Sequence, residues 1–296
     1  MRNNIFERLH QHGYDIGYEI CKIHDMFTEE IYMLNDAYGR GTPKTIEEMV
    51  EMFSFHTWRQ RKNLVSLSEL KSIIKIHSLL RAIADEDMHA DEYSDEIIIY
   101  LEYMLNALML AEKIELKYRL QHKFSIYRNA EIDEVKYQML AQNITILLDN
   151  MNLEKHFIKR EEKTFLVEKD ATVTAVAEIV SNDLFYPVIE YNHHLLRGNI
   201  TRKREILKKF ADDLEPKRKE LKTQKKDAED LLFYMFNKLN IRHNNNNIEK
   251  VAQMSNKELE RWYDDVYQLV LYCYLILDSN PRIARLNDLK DEIEKG

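Results

Sequence analysis

Apolar residues recur every three or four positions over most of this chain, a period that places them on one side of an α-helix. The clearest ladder is Ala228, Leu231, Leu232, Met235 and Leu239, followed by a polar loop carrying Arg242, His243 and four asparagines. Asparagine side chains compete with the backbone for hydrogen bonds and tolerate left-handed conformations, so the helix is expected to stop near residue 240. A second ladder runs through Leu259, Trp262, Tyr263, Val266, Leu269, Val270, Cys273, Ile276 and Leu277. It begins behind Ser255 and Glu258, which have the spacing of a capping box, and Asn280-Pro281 is expected to close it. The Arg242 loop is thus mounted between two amphipathic helices, and Arg242 and His243 are expected exposed at the mouth of a cleft.

Upstream, Ile5, Leu9, Ile16, Ile20, Ile23, Phe27, Ile31 and Leu34 predict a long first helix, ended by the run from Gly39 to Pro43. Gly13 and Gly17 lie one turn apart on it. Thr45 with Glu48 and Ser66 with Glu69 are further capping boxes, predicting helix starts near 46 and 67. His77, on the apolar face of the second of these, reads as a hydrogen-bonded core histidine. After an acidic break at residues 85–92, helices are expected over about 94–120 and 131–150. The one good hairpin candidate pairs His156–Ile158 with Thr164–Glu168. A helix followed by a hairpin resembles the wing of a winged-helix module, but residues 131–150 carry too few basic groups for reading DNA. Asp170 and Asp183 read as caps for helices at 171–181 and 184–197. Gly198-Asn199 then interrupts, and Glu215-Pro216 splits the charged segment that follows. The fold class expected is mainly α, a multi-helix bundle with one small β-hairpin. Residues 1–170 would form an N-terminal helical domain ending in the hairpin, and 171–296 a C-terminal helical domain.

Composition agrees with this picture. Six glycines and four prolines in 296 residues are too few for an all-β fold, and 45% apolar residues can supply a core. Cys21 and Cys273 each lie in a helical pattern among apolar neighbours, which points to buried free thiols in a reducing compartment. No apolar run approaches the ~18 residues of a membrane span, and no signal core is evident at the N-terminus. A soluble, cytoplasmic protein without membrane contact is the expectation.

Charge changes the picture at one place. Residues 197–226 hold twelve Lys or Arg against five Asp or Glu, in a chain of net charge −8. A solvated helix face laced with ion pairs explains such a stretch. So does a surface for a polyanion, since local charge concentration steers phosphates. On the second reading Lys208, Lys209, Arg218 and Lys222 would contact RNA.

Candidate chemistry is sparse. Glu86 with His89 and Glu190 with His193 have the i, i+3 spacing used in carboxylate-bridged di-iron bundles. Eleven histidines and many glutamates make such pairs expected by chance, so neither a metal nor another cofactor is anticipated. No Gly-rich phosphate loop, zinc spacing or serine elbow is present.

A helix ending in Arg242, a polar neighbour and a following long helix resembles the HEPN superfamily, all-helical domains common in bacterial toxins, abortive-infection proteins and CRISPR-associated ribonucleases. The resemblance covers about residues 171–280. The family's histidine would fall at Asn247, Ile248 or Glu249, so the motif is incomplete in this chain. What the resemblance implies is a metal-independent endoribonuclease or RNA-binding protein of a toxin or phage-defence system, working as a homodimer. Arg242 and His243 would stand at the site, with Asn244 and His193 supporting. Histidine suits the proton transfers because its pKa lies near 6.5, and arginine suits the phosphate because it stays charged and offers a planar fork. The other reading is a non-catalytic helical module that contacts partner proteins, with Arg242 capping a helix end.

Overall fold

The computed structural model describes residues 15–50, 80, 94–120, 127–158, 163–242 and 253–295. The expectations for Ile5, Leu9 and Gly13, the helix start at Ser66 with His77, and the acidic break at 85–92 lie outside those residues. The chain is mainly α and divides into two compact units, Met1–Leu166 and Val167–Gly296, each with its own apolar core. Among the described residues, no helix is long and apolar enough to cross a membrane.

In the first unit, α1 (Ile16–Phe27) starts at Asp15, whose carboxylate accepts the Tyr18 N–H at 3.0 Å. It buries Ile16, Ile20, Ile23 and Phe27. The helix does not continue to Leu34 as the spacing suggested. It ends at Thr28, and β1 (Tyr32–Asp36) follows. Tyr32 and Leu34 are buried with Met33 exposed between them, a strand's alternation that also satisfies helical spacing when read with Ile31. Asp36 then accepts the N–H groups of Tyr38 and Arg40 at 2.8 and 2.9 Å, and Gly39 takes φ +77°, turning the chain back into β2 (Gly41–Lys44). A Cβ at Gly41 would lie 2.5 Å from Met33 Sδ, so any larger residue there would have to displace the exposed Met33 side chain across the strand pair. The sheet order is β2-β1-β3, with β3 spanning Tyr127–Ile132, so Pro43 sits on an edge strand, where its missing N–H matters least.

A helical segment over 46–50 begins at the Thr45/Glu48 box, whose reciprocal bonds measure 3.0 and 3.2 Å. Helices α2 (Ser94–Leu120) and α3 (Glu134–Asn150) follow, the second starting three residues later than expected because 127–132 pairs as β3. The expected hairpin forms as β4 (Leu153–Ile158) and β5 (Lys163–Glu168). Buried Asn106 of α2 binds Thr164 twice, donating to its carbonyl at 3.0 Å and accepting its N–H at 2.8 Å. Buried Glu102 accepts the Leu166 N–H at 2.7 Å. Burying such polar groups is tolerable because each finds a partner.

The second unit holds α4 (Ala171–Ile179), α5 (Asn182–Glu190), a 3-10 turn (His194–Leu196), α6 (Ile200–Leu214), α7 (Arg218–Gln224), α8 (Lys226–Lys238) and α9 (Asn256–Lys295). Asp170 caps α4 as anticipated, whereas α5 is preceded by Ser181 rather than Asp183. The Ser255/Glu258 box forms at the head of α9, with bonds of 2.9 and 3.3 Å. Helix α9 packs on α4, α6, α7 and α8 through Tyr263, Tyr267, Val270 and Leu271. Pro281 does not end it. A proline removes one helical hydrogen bond, and here Arg282 reaches back to Asp278 at 2.6 Å across the ring position. Both cysteines are free thiols, Cys273 buried and Cys21 half-buried, and burial pushes them up to about 12 and about 11.

Candidate functional site

Helix α8 ends on Asn240, which takes the left-handed conformation at φ +57°. The Ile241 and Arg242 N–H groups both turn back to the Phe236 carbonyl, at 3.1 and 3.2 Å. This is a helix C-cap of the kind asparagine permits. Tyr263 of α9 donates to the Leu239 carbonyl at 3.2 Å and ties the cap to the core. Arg242, with its side chain 20% exposed, places a guanidinium nitrogen 2.7 Å from Glu215 Oε2, at the C-terminal end of α6. His243, Asn244 and the asparagine run lie outside the described residues.

His193 stands elsewhere. It is buried in the segment leading to α6, accepts the Leu195 N–H on Nδ1 at 3.4 Å, and stacks loosely on His194 with ring centroids 4.2 Å apart. Its strand-like bridge to Val167 fixes the backbone. Arg242 and His193 therefore sit at opposite ends of α6, whose fifteen residues span roughly 22 Å. The structure does not bring them into one site. Glu190, the carboxylate of the i, i+3 pair with His193, is held by Arg202 in a fork of 2.7 and 2.8 Å, and Glu86 with His89 is outside the described residues.

The basic stretch divides into engaged and open groups. Arg218 pairs with Glu229, which is fully buried, and lies over the Phe233 ring at 4.5 Å. Lys222 adds contacts of 3.6 Å to Glu229 and 3.3 Å to Asp230. Arg218 and Lys222 thus fasten α7 to α8. Lys208 and Lys209 are exposed on α6 and make no ion pair among the described residues.

The most connected polar cluster is one that spacing did not single out. Lys203 on α6 is only 7% exposed and reaches Asp264 at 2.7 Å and Glu260 at 2.8 Å, both on α9. Tyr191 donates to the same Asp264 oxygen at 3.1 Å, and its ring lies 5.2 Å below the Lys203 ammonium. Glu260 also accepts the Gly198 N–H at 2.7 Å. Burial alone would raise Glu260, but the bonds from Lys203 and Gly198 outweigh it and hold the carboxyl below its ordinary range. Burial and the adjacent Asp264 push the Tyr191 phenol well above its ordinary value. Each group here holds another, so the cluster locks α6 to α9. Its signal in the sequence was Lys203 itself, a charge on the rung below Ile206, Leu207, Phe210 and Leu214.

No protein-family model, no curated protein and no solved structure matches this chain.

Proposed function

We propose that the second unit is a helical protein-interaction module, acting by contact rather than by catalysis. The observation that carries this is the end of α9. From Asn280 to Glu294 every position is exposed. Yet Ile283, Leu286, Leu289 and Ile293 recur there at helical spacing and are 52, 64, 51 and 71% exposed. An amphipathic helix gains its stability from a covered apolar face, and such a face left open marks an interaction site. The polar chemistry of the unit supports the reading. Arg242 is engaged with Glu215, and Lys203, Arg218 and Lys222 are engaged with carboxylates, so these cations serve packing.

A second reading, contact with RNA in the HEPN-like sense, is favoured by the open ammonium groups of Lys208 and Lys209. One comparison separates the two. A chain truncated after Asn280 is expected to keep the helicity of its remaining residues and lose its assembly in sedimentation, while neither it nor the full chain retains single-stranded RNA at low salt. If the full chain binds RNA with an affinity falling steeply with salt, and Lys208→Gln with Lys209→Gln weakens that binding while truncation does not, the RNA reading replaces the module.

A further inference from the structure

The exposed end of α9 carries charge as well as apolar side chains, and their placement specifies an occupant. Leu286 and Ile293, seven residues apart, mark the centre of the apolar stripe, with Leu289 on one shoulder and Ile283 on the other. Beyond Leu289 lies an edge with Arg285 and Glu292, again seven residues apart. Beyond Ile283 lies the opposite edge, with Asn287 and Glu294, while Lys290 falls between Leu286 and Ile283. Arg282 is tied to Asp278 and Lys290 to Glu294. Arg285 and Glu292 make no ion pair among the described residues, and at seven residues' separation they do not reach each other.

We propose that this segment pairs with the same segment of a second copy of the chain, antiparallel, about a two-fold axis near residue 288. The proposal rests on the contact reading above and adds the partner and its direction. In a two-fold antiparallel pair, residue i meets j while j meets i, and like edges of the helices face each other. Ile283 then meets Ile293 of the partner subunit, and Leu286 meets Leu289 of the partner subunit. Arg285 faces Glu292 of the partner subunit, twice over by symmetry. A parallel pair brings unlike edges together. It would set Glu292 between Lys290 and Glu294 of the partner subunit, and would give Arg285 no carboxylate on the facing edge. The charge order along α9 therefore selects self-association and selects its direction, as flanking charges do in coiled coils.

The test is the molar mass of the full chain by sedimentation equilibrium across a wide concentration range. The wild type is expected to rise from 35.6 kDa toward twice that value. Leu286→Asp with Ile293→Asp should stay monomeric at every concentration with unchanged circular dichroism. Arg285→Glu or Glu292→Arg alone should weaken the dimer about fivefold or more, and the two together should restore it, because the swap recreates both pairs only in the antiparallel register. A wild type monomeric throughout overturns the proposal. So does a double swap no tighter than the singles. If the wild type is monomeric but truncation after Asn280 removes a stoichiometric second protein, the contact reading stands and self-pairing is the part that falls.

Discussion

Lys203 shows how a single residue decides a local structure. Its ammonium is withdrawn from water and repaid by two carboxylates some sixty residues away on α9 and by the ring of Tyr191, which closes α5. Removing one member of a buried ion pair leaves the others uncompensated, at a cost of about 3–5 kcal/mol. With Asp264 half exposed the lower end applies, and Lys203→Met is expected to lose about 3 kcal/mol in urea unfolding at pH 7. The same cluster carries a pH dependence. Glu260 is held below its ordinary value of 4.5 in the folded chain, so its contribution is complete above that value and is lost as pH falls through the folded value. Glu260→Gln should therefore be less stable than the wild type at pH 7, with the gap narrowing below pH 4.5. A gap that stays constant down to acid unfolding would refute the linkage.

At the scale of elements, the end of α8 depends on one left-handed residue. Forcing a β-branched side chain to positive φ costs roughly 1–2 kcal/mol, so Asn240→Val is expected to lower the free energy of unfolding by that amount, while Asn240→Gly leaves it within about 0.5 kcal/mol. Chemical denaturation of the two variants checks the contrast. Elements bounded by local chemistry were legible in the sequence. Asp170, Thr45 with Glu48, and Ser255 with Glu258 cap where their spacing said they would, because the donors they satisfy lie within four residues. The three-stranded sheet was not legible. Ile31 and Leu34 fit a helix as well as a strand, and the partner that decides, β3, lies some ninety residues away, outside any local window. Pro281 misled for the opposite reason, since a local stop signal was overridden by a helix already anchored by four neighbours. Of the site, the position of the α8 terminus was readable. The pairing of Arg242 with Glu215, and of Lys203 with Glu260 and Asp264, was not, because each joins separate helices.

At the scale of the whole molecule, the two units carry separate cores and different charge. Residues 167–296 hold 22 Lys or Arg against 23 Asp or Glu, while residues 1–166 hold 21 against 28, so most of the net −8 belongs to the first unit. Independent cores unfold as separate cooperative blocks. Calorimetry is expected to give a van't Hoff enthalpy clearly below the calorimetric one, and a ratio of unity would show a single block. The tyrosines add a different kind of consequence. Seventeen are present, and the phenols of Tyr100, Tyr191 and Tyr274 are pushed up by burial, with the nearby carboxylates of Glu47, Asp264 and Asp213 adding to it. An unfolded chain sheds those protons near pH 10, so folding is favoured in full below that point and progressively less above it. In alkali the buried rings turn to phenolate only as the core opens, and the near-ultraviolet colour of the solution becomes a clock for the breaking of the fold.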